Sequence, residues 1–233
     1  CAAPATGILD AFNGANFIAP FILDPNDPNT MLAGGLSLWR SNDIKAAGLP
    51  TWGAVKPPSS DRRPAPQLGN PNPISAVSVS ENNSDFILVG HNDGQIFLTF
   101  DGTSASPTWS RIDAGIPATR FVTRLVIDEA RSPNWIYVTL GGFAGDNIYR
   151  SKDLGATWAD ITGPAATGLP NVPVRDLAIS PAVPNNIYAA TEIGIFASDN
   201  AGLTWGLPQD GPANVAVDQL FWLSGQLVAV TYG

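Results

Sequence analysis

The chain has 233 residues, a formal net charge of −8 and 14% charged residues, with 21 Pro and 23 Gly. The acidic balance argues against a nucleic-acid surface, which needs clustered Lys and Arg, and the lysines are Lys45, Lys56 and Lys152. No apolar run approaches the length that spans a bilayer, and Pro and Gly in these numbers, without helical periodicity, fit many turns between short strands.

Residues 1–14 hold no clear strand; one is expected at most around Ile8–Phe12. The single cysteine, Cys1, excludes an internal disulfide. It reads either as the point where the chain starts or as the lipid-carrying first residue of a mature bacterial lipoprotein. From residue 15 onward the sequence repeats. A unit reads as strand A, a Pro/Asn turn, strand B, a Gly-rich turn, strand C, a Ser-x-Asp turn, and a short strand D opening at Trp. The A strands are headed by Phe21-Ile22-Leu23, Val77-Ser78-Val79, Leu125-Val126-Ile127 and Leu177-Ala178-Ile179. The units span about 15–73, 74–118, 119–171 and 172–214, and a half unit covers 215–233. Unit one ends in a Pro-rich insertion, residues 56–66, which reads as an exposed loop. Four short strands in a unit of about 50 residues are the blade of a β-propeller. The fold expected is therefore all-β, with about four and a half blades of four antiparallel strands. Two accounts of the half blade stand. The chain is part of a larger propeller whose other blades lie elsewhere or in another chain, or it is a five-bladed ring closed by its N-terminus.

The turn before strand D is best formed in Ser151-Lys152-Asp153-Leu154-Gly155-Ala156-Thr157-Trp158. Ser151 and Asp153 carry short acceptors that can hold a turn shut. Gly155 is free to take a positive φ, and Trp158 is expected to be buried. A second copy is Ser198-Asp199-Asn200-Ala201-Gly202-Leu203-Thr204-Trp205, with Asn200 in place of the Asp. Weaker copies run Ser41, Asp43, Thr51-Trp52 and Thr99, Asp101, Thr108-Trp109, with insertions between Asp and Thr that predict a different turn geometry. This pattern resembles the Asp-box, or BNR, repeat of bacterial sialidases, family-74 xyloglucanases, sortilin-type receptors and a photosystem assembly factor. The resemblance implies a propeller over roughly residues 15–233. It also implies that the box residues Ser151, Asp153, Gly155, Thr157, Trp158, Ser198, Asn200, Gly202, Thr204 and Trp205 are folding elements at the blade periphery.

Chemistry is expected instead near the axis, where the innermost strands converge. Aligning the A strands brings Arg124, Asp176 and Asp218 to equivalent positions. They form either a sugar-binding cluster with Asp176 and Asp218 as weak catalytic candidates, or a salt-bridge network lining a channel. The sialidase pattern is not met: Arg111-Ile112-Asp113 lacks the Pro of the arginine motif, and the tyrosines fall on repeat strands. The family-74 enzymes use one catalytic Asp from each of two propellers, and this chain is too short for both. Metal and cofactor sites are not expected: His91 is the only histidine, and Asp24 to Asn29 reads as a β-turn. Trp135 and Trp222 are the aromatics outside the boxes that could stack on sugars, though each alternates with apolar strand residues. The function expected is an extracellular, non-catalytic module that binds a glycan or protein, or a structural part of a surface assembly. The alternative is part of a glycoside hydrolase of the xyloglucanase type.

Overall fold

The computed structural model describes residues 7–8, 10, 14–59, 72–208 and 215–231. Cys1, and most of both the expected N-terminal strand and the Pro-rich insertion, lie outside these residues. All regular structure among the described residues is β. The chain divides into two compact units, residues 1–113 with 117–119 and residues 114–116 with 120–233.

The first unit holds two four-stranded sheets. One runs β1 (Phe21–Leu23), β2 (Met31–Gly34), β3 (Leu38–Ser41), β4 (Gly53–Lys56). The other runs β5 (Ile74–Ser80), β6 (Asn83–His91), β7 (Ile96–Thr99), β8 (Ser110–Arg111). Neighbouring strands are antiparallel and consecutive, joined by short turns except at β3–β4 and β7–β8, where longer loops intervene. The two sheets pack face to face through Leu32, Leu38 and Val55 against Ile74, Val77, Val79, Ile87 and Val89.

The second unit repeats the plan. Its first sheet is β9 (Val122–Asp128), β10 (Trp135–Leu140), β11 (Ile148–Ser151) and β12 (Ala159–Asp160). Its second is β13 (Val174–Ile179), β14 (Ile187–Thr191) and β15 (Gly194–Ser198). Here the expected fourth strand is reduced to one bridge, Ala197 to Gly206. The hairpin β16 (Val217–Leu223) and β17 (Gln226–Thr231) follows as a two-stranded sheet. Tyr137, Ile148, Leu177, Ile187, Ala189, Phe196 and Trp205 form the core between the first two sheets.

The turn that closes strand C has the same clasp of Asp or Asn on Thr in all four copies. Asp153 accepts at Oδ1 from the Ser151 hydroxyl (2.8 Å) and the Thr157 N–H (2.9 Å), and at Oδ2 from the Thr157 hydroxyl (2.6 Å). Ser151 Oγ in turn accepts the Gly155 N–H at 2.7 Å. In the last copy Asn200 accepts from Ser198 and from the Thr204 N–H, and it donates to the Thr204 hydroxyl. The two copies with insertions keep the same clasp, Asp43 on Thr51 and Asp101 on Thr108. The extra residues loop out between the Asp and the Thr. The insertions do change the turn, as expected: the paired positive φ angles at Leu154–Gly155 and Ala201–Gly202 have no counterpart between Asp43 and Thr51 or between Asp101 and Thr108, yet the clasp survives because it joins the two ends of the loop and leaves its length free. Leu154 and Gly155 both have positive φ, 58° and 89°, and so do Ala201 and Gly202, 55° and 91°. At Gly202 a side chain is also excluded by space: a Cβ would lie 2.7 Å from Ile161 Cδ1 of the preceding sheet.

The clasp delivers the Trp that follows to the neighbouring sheet. Trp205 is buried and its Nε1 donates to Ile161 O at 2.8 Å. Trp109 donates to Val55 O at 3.0 Å in the same way. Trp158, expected to be buried, is half-buried. The residue before the box Ser bonds in the other direction. Arg150 donates to Ala201 O (2.6 Å) and Arg40 to Gly102 O and Ser104 O, each in the next sheet's turn. A further repeat went unread in the sequence. Asp24, Ser80, Asp128 and Ser180 are all buried at the end of strand A, and each accepts an N–H of the A–B turn. This pattern hides in sequence because Asp and Ser alternate in the role.

Two substitutions separate these contributions. Trp205→Phe keeps most of the ring but leaves the Ile161 carbonyl unpaired, and is expected to cost about 1 kcal/mol, against about 3–5 kcal/mol for Trp205→Ala. Ser151→Ala strands the buried Gly155 N–H and is expected to cost about 1–3 kcal/mol. Urea unfolding of the chain and its variants measures both.

Candidate functional site

Four of the five A strands share a defect that places their polar residues. In β5, β9, β13 and β16 the register slips by one near the start. Ile74 pairs with His91 but Ala76 with Gly90, and Val122 pairs with Leu140 but Arg124 with Thr139. Val174 pairs with Thr191 but Asp176 with Ala190, and Val217 pairs with Thr231 but Gln219 with Val230. The extra residues are Ser75, Thr123, Arg175 and Asp218. A bulge of this kind re-aims its side chain and often marks a functional edge. It also corrects the expected alignment. Asp218 is equivalent to Arg175, and Gln219 is equivalent to Asp176. A one-residue slip exchanges the faces of a strand, and sequence alone gave no gap to reveal it.

Asp176 and Asp218 therefore have different surroundings. Asp176 is buried, with 3% of its side chain exposed, and lies 3.1 Å from Arg124 Nε. Its oxygens also accept the N–H of Leu177 (2.7 Å) and of Leu220 in the following hairpin (2.9 Å). Burial pushes its pKa up, opposed by Arg124 and the two N–H groups. Asp218 is partly exposed and pairs with Arg175, which also holds Glu192 at 2.7 Å. Arg124 and Arg175 are partly exposed as well. Thr123 donates at 2.6 Å to Val174 O of the next strand A. The bulge residues thus tie successive inner strands together and leave a mixed-charge surface of Arg124, Arg175, Glu192 and Asp218.

Aromatic side chains at this end of the unit were not singled out from sequence. Phe121 and Phe143 are exposed, 37% and 75%. Phe121 precedes β9, and its carbonyl accepts the N–H of Gly141, in the loop that carries Phe143. Arg120 beside them pairs with Asp146 at 2.6 Å. Trp135 and Trp222 are placed otherwise. The Trp135 ring has Arg131 and Lys152 at 4.4 Å and Arg150 at 4.9 Å from its centroid. Trp222 packs edge-on against Tyr188, at 5.9 Å and 73°, in an apolar cluster. Two open depressions lie elsewhere, at the sheet periphery: one is lined by Tyr188, Ser198, Thr204 and Trp205, another by Arg40, Asp43, Thr51 and Val55.

The first unit contains a buried cation that the sequence did not flag. Lys56 Nζ sits 4.0 Å from the centroid of Phe97 and 3.1 Å from His91 Nε2. His91 Nδ1 lies 3.1 Å from Asn72 O. A carbonyl only accepts, so Nδ1 carries the proton and Nε2 accepts from the ammonium. Both ring nitrogens are thereby engaged. Burial, with Lys56 beside it, pushes His91 down to about 3, and burial pushes Lys56 down to about 8. Ser59 donates to Gln95, the Asp93 N–H to Asn72 Oδ1, and the Asn92 N–H to Pro73 O. Ser59, at the start of the Pro-rich insertion, and Asn72 and Pro73, just before β5, are therefore seated on the β6–β7 hairpin.

This pair makes stability depend on pH with a definite sign. The unfolded chain protonates His91 near pH 6.5 and the folded chain only near 3, so stability falls as pH drops through that window. The carboxyls of Asp43, Asp101 and Asp153 are held low, foremost by the hydroxyls of Ser41, Thr99 and Thr157, so their loss begins below about pH 4. His91→Gln is expected to flatten the slope above that point. Unfolding midpoints of both proteins between about pH 7.5 and 4.5 test it.

Consecutive antiparallel sheets of up to four strands, packed face to face within each unit and tied at both edges, define a β-propeller chain. The relatives agree on that fold. The GH74 xyloglucanase of Xanthomonas campestris superposes with a TM-score of 0.61 at 16% identity, over 91% of this chain and 33% of that one. An ancestral GH74 enzyme gives 0.60 at 18%, over 84% and 24%. A β-propeller domain from Myceliophteria thermophila gives 0.60 at 15%, over 93% and 69%. In sequence, a xyloglucanase of Hypocrea jecorina (strain QM6a) is 26% identical over 125 residues, 49% of this chain and 14% of that protein. The chain thus spans a small part of the xyloglucanase it matches. No family model matches it.

Proposed function

We propose that this chain is a non-catalytic, extracellular Asp-box propeller module that binds a glycan through the mixed-charge and aromatic surface of its second unit. The carrying observation is the state of Asp176. Its carboxylate is buried and taken up by Arg124 and two backbone N–H groups. A glycosidase needs two carboxyls facing one cleft, about 5–10 Å apart, one free to donate a proton and the other to attack or activate water. Asp218 is held instead by Arg175, within an ion network that includes Glu192. Phe121 and Phe143 offer apolar faces for sugar rings, and Arg124, Arg175, Glu192 and Asp218 offer donors and acceptors for hydroxyls. The low charged content fits a secreted protein. The Ser-x-Asp clasps serve as folding elements, since their acceptors are spent on the turn.

The second reading, part of a xyloglucanase-type hydrolase, is favoured by the similarity over 125 residues. In that case Asp176 or Asp218 supplies one carboxyl and further blades the other. Affinity electrophoresis in xyloglucan gels, with a reducing-sugar assay alongside, distinguishes the two. The module reading expects retardation without release of reducing ends, and Phe143→Ala is expected to weaken binding about tenfold, equivalent to ~1.4 kcal/mol. Release of reducing ends that is lost in Asp176→Asn or Asp218→Asn would establish the hydrolase reading instead.

A further inference from the structure

Trp135 opens β10 and Tyr137 follows two residues on, so both face the core between β9–β12 and β13–β15. Three cations gather on the Trp135 ring: Arg131 and Lys152 stand 4.4 Å from its centroid and Arg150 4.9 Å. The three charges therefore lie within about a Debye length of one another, roughly 8–10 Å at ordinary ionic strength. The whole chain has 12 Lys and Arg and a net charge of −8, so three cations on one half-buried indole are a local excess. Asp128 is buried against Arg131 at 3.4 Å, and Asp153 is spent in its clasp.

The fold does not require these charges. Trp135 corresponds by register to Thr30, Phe86 and Asn186 of the other sheets. Lys152, the residue after the box Ser, corresponds to Asn42, Phe100 and Asp199. In β5–β8 the same two places hold an aromatic contact, Phe86 on Phe100 at 4.9 Å. The position of Arg150 is basic again in Arg40 alone, the others being Leu98 and Ala197. Arg131 and Arg150 are anchored on the next sheet through Asn185 and Ala201 O. Their remaining donors, Arg131 Nη1 and Arg150 Nη2, and the ammonium of Lys152 have no hydrogen bond among the described residues. Two buried polar atoms in the same place also lack one, Arg150 Nε and Tyr137 Oη. Asp128, Arg150 and Arg131 are the charges that act on that hydroxyl, which lies against Arg150 without a hydrogen bond of ordinary geometry. Buried polar atoms left unpaired are costly and uncommon, and they mark places with a task besides packing.

We propose that this cluster binds a tetrahedral oxyanion, phosphate or sulfate, free or as an ester on a polymer, between Arg131, Arg150 and Lys152. Arginine presents N–H groups in a fork that matches two oxygens of such a group, and Lys152 adds a point charge on a flexible stem. The guanidiniums are already held by Asn185 and Ala201, so little freedom is lost when they take a ligand. The anion takes up the leftover donors and offsets the repulsion among three like charges. An uncharged sugar does neither, and the indole is already taken by the cations. The site lies at the opposite end of its sheet from the glycan surface, since Trp135 pairs with Asp128 and Thr139 with Arg124. It does not rest on the glycan reading.

Isothermal titration of the chain with inorganic phosphate and with sulfate, in low-salt buffer, tests it. Both are expected to bind, with affinity falling as sodium chloride is raised. Lys152→Gln and Arg131→Gln are each expected to weaken phosphate binding about tenfold. Lys45→Gln, an exposed lysine of the first unit, is expected to leave it unchanged. Lys152 is exposed and makes no hydrogen bond among the described residues, so its variant is expected to unfold at the wild-type urea midpoint. Dextran sulfate beside neutral dextran separates the two sources. Tighter binding per sulfate group on the polymer than of free sulfate assigns an ester on a polymer, and equal or weaker binding assigns the free ion. Retardation of Lys152→Gln in xyloglucan gels is expected to match wild type, so failure of this site and failure of the glycan reading are told apart. Absence of phosphate and sulfate binding, or binding that both Lys152→Gln and Arg131→Gln leave at wild-type strength, would overturn the proposal.

Discussion

One clasp, an Asp or Asn on a threonine, holds the outer edge of each of the first four sheets. The Asp or Asn of the Ser-x-Asp turn accepts the Thr N–H and bonds the Thr hydroxyl, and so fixes the direction in which the chain leaves strand C. Without that fixed direction the following Trp has no defined place. With it, Trp109 and Trp205 reach a carbonyl in the neighbouring sheet, and the sheets become a stack and not a set of hairpins. A two-stranded hairpin is marginal on its own in water. The stability of each sheet therefore depends on its neighbours, and the neighbours are reached through this turn.

At the inner edge a different device does similar work. The recurring bulge turns one side chain out of the ladder in each of β5, β9, β13 and β16. Thr123 spends that side chain on the next strand's carbonyl, while Arg175 and Asp218 spend theirs on each other. Asp176, one residue on, is buried and holds Leu220 of the hairpin. Charge here is consumed in joining sheets, which is why a search for a free carboxylate pair in this region finds ion pairs. What stays exposed is the rim of that network, with Phe121 and Phe143 nearby.

The fold was legible because its signals are local. Ser151 to Trp158 lies within one turn, and the unit boundaries follow from the spacing of such turns. The strand order followed too, since each strand pairs with the next in sequence. The inner-edge geometry was not legible. A bulge adds a residue without adding a recognisable letter, so aligning Asp218 with Asp176 was natural and off by one. Lys56 was missed for another reason. Its partners, His91 and Phe97, lie in the next sheet, and nothing about a single Lys after Val55 announces that it will be buried under a ring. The clasps across the two insertions were missed because sequence distance was taken for spatial distance.

The contacts between sheets have an asymmetry with a consequence for how such chains change over time. In five of them, apart from the inner-edge contacts of Asp176 and Asp218, the donors are side chains: two indoles, two guanidiniums and a threonine. The acceptors are main-chain carbonyls, which every residue type supplies. A repeat that brings its own donors therefore needs no particular partner letter in the repeat it lands on. At these bonds, exchange of a repeat requires no matching change next door; the inner-edge ion pairs Arg124–Asp176 and Arg175–Asp218 are the opposite case, where a change on one sheet calls for a change on the next.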